Sequence, residues 1–263
     1  MPIIRIEEPS DPRLAPYFNL RSGQNTPASF IIESTRLVHR LLDSHFQTLS
    51  LLVTEARLDS LRPCLKPEIP VYVVSKAALR ETVGFDLHRG CLAHAKAPEV
   101  TLVEELGSSP PRLVVMLEGL ADPANVGAII RNAAAFGADL VIADPKGASP
   151  YTRKATRASA GQIFNLPVAI CEPALAIDVL RKQLQGVKII ATTGRRGTQG
   201  LDKVALGECN VLVFGNEGTG VSDNLRNVAD ACGRIAIADH VDSLNAAAAS
   251  AVALHIIGSR TSQ

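Results

Sequence analysis

The sequence predicts an α/β protein of two parts: a C-terminal, mostly parallel sheet with helices on both faces, and a smaller N-terminal α/β module. Strand-like runs that are apolar nearly throughout recur from residue 112 onward, and helical patterns separate several of them. Such runs are typical of strands that helices cover on both faces. The stretch 95–112 contains Gly-Ser-Ser-Pro-Pro, which opposes helix formation and therefore predicts a link between the two parts.

These observations divide the chain into a module at 1–96, a linker at 97–111 and a larger domain at 112–263. The N-terminal module reads as a small α/β unit because a helical pattern precedes two apolar, β-branched runs. Its predicted elements, in chain order, are a helix around 33–44, strands at 49–54 and 69–75, and a Gly-rich turn at 84–93 before a last strand.

The larger domain alternates between strands and helices. The pattern predicts strands at 112–117, 139–144, 166–170, 187–192, 210–215 and 234–238, and helices at 124–137, 173–186 and 243–257. The first of these helices places Val126, Ile129 and Ile130 on one face and ends at Gly137, a typical C-cap residue. The second helix starts with proline and ends with glycine, as helices tend to do.

Composition narrows the class of protein. The chain has 263 residues, is 46% hydrophobic and 20% charged, and carries a net charge of +1, as expected of a globular protein in the cytosol. No signal peptide or membrane span is evident. The five cysteines form no CxxC pair and the six histidines lack ligand spacing, so we expect reduced thiols and no metal site. A nucleic-acid partner would have to be held by local basic patches.

Three polar or Gly-rich loops follow predicted strands or precede predicted helices: LADPANVG at 120–127, GNEGTGVS at 215–222 and ADHVDSLN at 238–245. Loops at the carboxyl ends of parallel strands converge on the ligand site of such a sheet. The second loop has the spacing G-x-x-G-x-G, which is neither the dinucleotide fingerprint nor a P-loop. Glu217 within it would repel a phosphate, which disfavours a nucleotide-dependent dehydrogenase. The glycines indicate either a tight turn that needs positive φ or a neutral or cationic ligand held by main chain.

The other two loops carry polar side chains at predicted helix starts. Asp122 and Pro123 signal a helix start, which places Asn125 in the first turn and Arg131 on a largely apolar stretch. An arginine there predicts either a buried ion pair or a group that grips phosphate or carboxylate. In the third loop, Asp242 or Ser243 is the expected cap, with Asn245 inside the first turn of the last helix.

The densest basic patch of the larger domain is RKATRASAG, residues 153–161. It contains Arg153, Lys154 and Arg157. Two interpretations are open, a solvated surface and a contact with RNA phosphates.

Together these motifs resemble those of the SpoU (TrmH-type) RNA 2′-O-ribose methyltransferases of the SPOUT superfamily. The first resembles N-x-G-x-x-x-R, here Asn125, Gly127 and Arg131. The second resembles F-G-N-E-G-x-G, here residues 214–220, and the third resembles a strand followed by S-L-N, here residues 243–245. The third departs from the usual I-P-M-x-G, because residues 235–239 read Ile-Ala-Ile-Ala-Asp.

The resemblance implies a deep trefoil knot, S-adenosyl-L-methionine as cofactor, a homodimer, and methylation of a ribose 2′-hydroxyl in RNA. It also implies that the N-terminal module resembles a ribosomal-protein-like RNA-binding domain, which favours ribosomal RNA over tRNA as substrate. A tRNA 2′-O-methyltransferase and a catalytically inactive RNA-binding relative remain the alternatives.

The resemblance also assigns roles residue by residue. Gly215, Ile235 and Leu244 match positions whose main chain holds the cofactor, and Thr192, Gly194 and Gly220 are further candidates. The catalytic candidates are Arg131, Asn125, Glu217, Ser243 and Asn245. A guanidinium is always protonated, so we expect Arg131 to clamp a phosphate and stabilise alkoxide charge rather than to act as a base. Glu217 is expected to organise its loop or to face Arg131.

Overall fold

The computed structural model describes residues 2–20, 28–87, 90–98, 102, 106 and 109–261. The chain forms two compact units: Met1–Glu99 with Tyr151–Arg157, and Val100–Pro150 with Ala158–Gln263. Most of the predicted linker lies outside the described residues. Two of its described residues, Leu102 and Leu106, are buried in the core of the second unit, so these two side chains pack as core rather than as an exposed link.

The first unit contains a mixed sheet. Its strands within the described residues are β1 (Ile3–Arg5), β2 (Ser29–Glu33), β3 (Thr48–Thr54), β4 (Val71–Val74) and β5 (Cys91–Lys96), in the spatial order β1-β4-β3-β5-β2. Strands β1, β4 and β3 are parallel, whereas β5 runs antiparallel to β3 and to β2. Its helices are α1 (Thr35–Leu42), α2 (Glu55–Leu61) and α3 (Lys76–Val83). The order and direction of these strands are not specified by the apolar pattern of each strand taken alone.

Local chemistry explains the helices of this unit. The Ser34 hydroxyl accepts from the N–H of Leu37 at the start of α1, and the Ser75 hydroxyl accepts from Ala78 at the start of α3; such caps satisfy N–H groups that lack helical partners. Helix α3 ends at Gly84, whose φ is +80°, a conformation that favours glycine. The predicted helix around 33–44 and strands at 49–54 and 69–75 are confirmed, with shorter bounds for the helix and for the second strand.

The second unit is built on a parallel sheet, as predicted. Among the described residues its strands are β6 (Leu113–Leu117), β7 (Leu140–Ala143), β8 (Val168–Ile170), β9 (Val187–Thr192), β10 (Cys209–Phe214) and β11 (Ala231–Gly233), in the order β11-β9-β10-β6-β7-β8. All neighbours pair in parallel. The helices are α4 (Pro123–Ala135), α5 (Arg153–Ala158), α6 (Pro173–Gln183), α7 (Asp223–Val228) and α8 (Ala246–Thr261). Every residue of β6 and of β10 is buried, which is why both runs are apolar except for Asn210.

Two predicted elements of this unit are placed differently by the structure. The expected strand at 234–238 is wrong, because β11 ends at Gly233 and the residues that follow form an irregular segment. Ile235 and Ile237 instead line a cavity, so their alternation reflects one apolar wall rather than a strand. The last helix begins at Ala246 and not at residue 243.

Residues 151–157 were predicted to belong to the larger domain at 112–263, but they pack within the first unit. The Tyr151 ring lies 5.2 Å from the Phe30 ring, centroid to centroid. The Arg153 guanidinium lies 4.6 Å from the centroid of Phe85. Aromatic and cation–π contacts with residues distant in sequence explain why this short segment belongs to the unit that precedes it.

The parallel sheet brings the loops of interest to one edge. Because the strands run in one direction, the segments that follow β6, β9, β10 and β11 all leave from the carboxyl edge, where ligands bind in open α/β sheets. None of the helices in the described ranges is long and apolar enough to cross a membrane.

Candidate functional site

A cavity of about 620 Å³ lies among the segments that follow β9, β10 and β11. Pockets of about 300–1,000 Å³ are the usual size for small-molecule and cofactor sites. All six residues predicted to contact a cofactor line it: Thr192, Gly194, Gly215, Gly220, Ile235 and Leu244. Of the predicted catalytic residues, Glu217, Ser243 and Asn245 line it as well. The structure therefore brings together residues from three separate stretches of the chain.

The glycine loop after β10 is a closed turn with bare main chain. The N–H of Gly220 donates to the carbonyl oxygen of Asn216 at 2.8 Å, and Gly220 has a φ of +71°. A Cβ on Gly215 would overlap the backbone of Gly220 and Val221, so only glycine permits this close approach. Positive φ therefore explains one glycine and backbone contact explains another.

The Asn216 side chain holds the turn in place. Its Oδ1 accepts from the N–H of Gly218 at 2.9 Å and of Thr219 at 3.3 Å, and its Nδ2 donates to the carbonyl oxygen of Gly119 at 2.9 Å. Gly119 lies two residues after the end of β6. The amide thus fastens the glycine loop to the neighbouring strand end.

Glu217 connects the glycine loop to the start of α4. Its carboxylate accepts from the N–H of Ala121 at 3.1 Å, from the N–H of Asp122 at 3.2 Å and from Nδ2 of Asn125 at 2.9 Å. The partial desolvation of this exposed carboxyl raises its pKa, but the hydrogen bonds outweigh that effect, so the pKa lies below its usual value. A negative charge is also favourable at a helix N-terminus.

Asn125 and Asn245 extend this network across all three motifs. Nδ2 of Asn245 donates to Oδ1 of Asn125 at 3.2 Å. Oδ1 of Asn245 accepts from the N–H of Ala247 at 2.9 Å and of Ala248 at 3.4 Å. Asn245 therefore caps α8, and the prediction that Asp242 or Ser243 is the cap, with Asn245 inside the helix, is wrong. Capping explains one oxygen of Asn245, whereas its amide nitrogen serves the network.

Arg131 is exposed on α4 and lies outside the set of cavity-lining residues. Ile130 and Ala133 beside it in sequence are fully buried, but residue 131 falls on the other side of the helix because successive residues are about 100° apart. Within the described part of the chain, Arg131 forms no ion pair within 4.0 Å. The buried ion pair and the pairing with Glu217 are therefore both wrong, and the guanidinium is available to a ligand.

Two arginines that line the cavity were missed by the sequence reasoning: Arg195 and Arg226. Arg195 follows Gly194, and with Arg196 it forms a double arginine after the fourth strand of this sheet. Adjacent basic residues at the carboxyl end of a parallel strand were a usable signal. Arg226 lies on α7 and gave no comparable signal.

The three basic residues of the predicted patch lie in the first unit, whereas residues 158–161 belong to the second. Nη1 of Arg153 is 3.4 Å from Oε2 of Glu33, an ion-pair contact without hydrogen-bond geometry, and burial lowers the pKa of Arg153. Nη1 of Arg157 is 3.9 Å from Oε1 of Glu33, and its side chain is 65% exposed. Arg153 thus has a packing role, whereas Lys154 and Arg157, both exposed, stay predicted RNA contacts.

The family model of the SpoU rRNA Methylase family matches residues 112–255, which contain the cavity and the whole hydrogen-bond network. The chain belongs to the SpoU methylase family. An uncharacterized tRNA/rRNA methyltransferase of Mycobacterium bovis is 31% identical over 259 residues, which cover 94% of this chain and 89% of that relative. The resemblance inferred from the three motifs is confirmed.

Solved structures share the fold of this SpoU-family chain. An AdoMet-bound rRNA methyltransferase from Sinorhizobium meliloti has a TM-score of 0.84, with 23% identity and coverage of 98% of each chain. The SpoU methyltransferase AviRb from Streptomyces viridochromogenes, in complex with AdoMet, has a TM-score of 0.81, with 22% identity over 96% of this chain and 100% of that chain. An RNA 2′-O ribose methyltransferase has a TM-score of 0.77, with 27% identity over 98% of this chain and 99% of that chain. The fold is shared along nearly the whole chain.

Proposed function

We propose that this SpoU-family protein transfers a methyl group from S-adenosylmethionine to a ribose 2′-hydroxyl in RNA, with ribosomal RNA as the preferred substrate. The observation that carries the proposal is the hydrogen-bond network in which Glu217, Asn125 and Asn245 join the three motifs beside the cavity. The likeness to an RNA 2′-O ribose methyltransferase at 27% identity supports the choice of the 2′-hydroxyl.

The residues present fit S-adenosylmethionine. The cavity volume of about 620 Å³ suits a ligand of this size, and the close approach at Gly215 leaves bare main chain along one wall. The sulfonium cation is compatible with the Glu217 carboxylate, which would repel the phosphates of a dinucleotide. The cofactor would be held by the main chain of Gly215, Ile235 and Leu244, together with Thr192, Gly194 and Gly220. When bound, it would supply an activated methyl group.

The chain's own groups would bind and orient the RNA. The exposed guanidinium of Arg131 cannot take up a proton, but it can clamp an RNA phosphate through paired N–H donors and stabilise negative charge that develops on the ribose oxygen. Glu217 fixes the Asn125 amide because it accepts from Nδ2, which leaves Oδ1 to accept from Asn245. The network thereby holds the start of α4 and the start of α8 in one arrangement, with Ser243 exposed beside them.

We extend the proposal to the knot and the homodimer. A deep trefoil knot is supported by contacts between the loop after β9 and the segment after β11: Arg196 donates to the carbonyl oxygen of Asp239, and a Cβ on Gly194 would lie 3.6 Å from the carbonyl oxygen of Asp242. A homodimer is supported by apolar side chains exposed on α8 and on the segment before it, namely Val252, Leu244 and Val241.

Ribosomal RNA is preferred because the family model describes rRNA methylases and because a separate α/β unit precedes the methylase part. A tRNA substrate is the second candidate, since the Mycobacterium bovis relative is described as a tRNA/rRNA methyltransferase. The intact network of Glu217, Asn125 and Asn245 argues against an inactive relative.

The test is methyl transfer by the purified full chain. Ribosomal RNA and tRNA are each incubated with S-adenosylmethionine that carries a labelled methyl group, and the RNA is then hydrolysed with alkali and with nuclease. A methylated ribose blocks alkaline cleavage, so we expect label in alkali-resistant dinucleotides from ribosomal RNA and little from tRNA. Label on a base would contradict 2′-O transfer. Cofactor binding without any transfer would instead favour the inactive relative.

A further inference from the structure

The loop after β9 places two arginines in different surroundings. Arg196 donates to the carbonyl oxygen of Asp239 and so holds the segment that follows β11. Arg195 lines the cavity, and its own N–H donates to Oγ1 of Thr193 at 3.1 Å. That turn fixes the backbone from which the Arg195 side chain leaves. The two neighbouring arginines therefore have separate roles, one in the loop's structure and one at the cavity.

Arg195 has the most donors to spare among the charged groups that line the cavity in the described chain. Arg226 donates to the carbonyl oxygen of Val221 and to Oδ1 of Asp223, and its side chain is only 14% exposed. Glu217 already accepts three hydrogen bonds. Because these two groups are committed within the protein, they contribute little further recognition of a charged ligand.

The contact of Arg195 with the protein is weak by comparison. Its Nη2 lies 3.6 Å from Oδ1 of Asp223, beyond hydrogen-bond distance, and both side chains are largely exposed, at 66% and 78%. Exposed pairs of this kind add little stability, and Asp223 is also bonded to Arg226. The planar fork of Arg195 can therefore turn to a ligand without breaking a strong interaction.

We propose that Arg195 recognises an oxyanion of a bound substrate at the exposed side of the cavity. Planar N–H pairs match the two oxygens of a carboxylate or a phosphate. The cofactor offers such a group in the carboxylate of its amino-acid tail, and RNA offers one in its phosphates. The inference rests on the proposed function, and it adds a specificity-determining residue outside the three motifs.

The test compares the full-length wild type with Arg195→Gln and with the control Arg181→Gln. Arg181 lies in the same unit, is also paired with a single aspartate, at 3.2 Å, and is 41% exposed, but it is outside the cavity lining. Calorimetry measures the Kd of S-adenosylhomocysteine and of 5′-methylthioadenosine, which lacks the carboxylate. Methyl transfer measures the KM for RNA.

The two sources of the oxyanion give different results. If Arg195 binds the cofactor carboxylate, Arg195→Gln raises the Kd of S-adenosylhomocysteine about 10-fold and leaves the Kd of 5′-methylthioadenosine unchanged. A change of about 10-fold is the effect expected from the loss of one charge-assisted contact. If an RNA phosphate is bound, both Kd values stay unchanged and the KM for RNA rises about 10-fold.

Two outcomes would overturn the inference: equal behaviour of Arg195→Gln and Arg181→Gln in every measurement, or an equal loss of both small ligands without a change in the KM for RNA. The latter would indicate a change in the shape of the cavity. A wild type that binds neither ligand and methylates no RNA would contradict the proposed function itself, whereas a wild type that does both isolates the role of Arg195.

Discussion

Replacement of Glu217 by glutamine removes the carboxylate that ties the glycine loop to the start of α4. The carboxylate accepts two backbone N–H groups and the Asn125 amide at 2.9–3.2 Å. Glutamine keeps one acceptor oxygen, but its NH₂ group would face N–H donors instead of accepting from them. We expect the loop to detach from α4 and the Asn125 amide to lose its fixed orientation.

The expected loss of stability follows from these contacts. A hydrogen bond to a charged group contributes about 1.5–3 kcal/mol when it is well buried. Glu217 is exposed, so solvent competes for the same donors and reduces this contribution. In the glutamine variant, the remaining side-chain oxygen still accepts a hydrogen bond and recovers part of the stabilisation. A net loss of about 1–2 kcal/mol in the free energy of unfolding remains, which lowers Tm by about 2–8 °C for a protein of this size.

The difference should also depend on pH. The pKa of the Glu217 carboxyl is lowered in the folded protein, so the folded state favours the ionised form. Its stabilising effect is complete above the unfolded pKa, which is about 4.3, and disappears as the pH falls through the lower folded value. The difference in Tm between wild type and Glu217→Gln should therefore be constant near neutral pH and shrink at about pH 4 and below.

Thermal unfolding followed by circular dichroism measures this difference, with Glu172→Gln as the matched control. Glu172 stands directly before the proline-initiated helix α6, but its side chain forms no cap hydrogen bond and pairs with Lys146 at the surface. We expect that variant to melt close to the wild type, because an exposed ion pair contributes little to stability. An unchanged Tm for Glu217→Gln at neutral pH, or a difference that does not shrink in acid, would refute the role assigned to Glu217.

Three further predictions concern the same site. Gly215→Ala should abolish binding of S-adenosylmethionine in calorimetry, because its Cβ would overlap backbone across the loop, whereas Gly218→Ala meets only a side-chain oxygen at 3.4 Å and should still bind; equal affinities would argue against the close approach. Asn245→Ala should lower the free energy of unfolding by about 1 kcal/mol, because α8 loses its cap. Asn245→Ser should restore Tm but not methyl transfer, because serine can cap the helix but is too short to reach Asn125. A serine variant with full activity would show that the network is dispensable. Arg131→Ala should leave Tm and the Kd of the cofactor unchanged, since the side chain is exposed and outside the cavity lining. The same variant should slow RNA methylation at least about 100-fold. A native methylation rate for Arg131→Ala or for Arg131→Lys would exclude a catalytic role for this residue.

Local patterns were sufficient for much of the parallel sheet. The run Val187–Thr192 was predicted with the bounds that the structure has, because its buried centre Ile189–Ala191 is apolar and turn residues stand at its limits. Helix α4 was predicted to within two residues because Asp122, Pro123 and Gly137 mark its ends, and these are local effects. The wrongly predicted strand at 234–238 also contains apolar residues in alternation. There, however, Ile235 and Ile237 line the cavity instead of facing a sheet core.

The amino-acid sequence by itself determined the fold class, the family and the stretches that build the site, because strand burial, helix caps and motif spacing all act over a few residues. Only the tertiary structure decided what the polar side chains do. Glu217 finds its partners 92 to 96 positions away and Asn245 finds Asn125 at 120 positions. Which distant side chains meet depends on strand order and loop packing, and the exposure of Arg131 depends on which face of α4 the sheet covers.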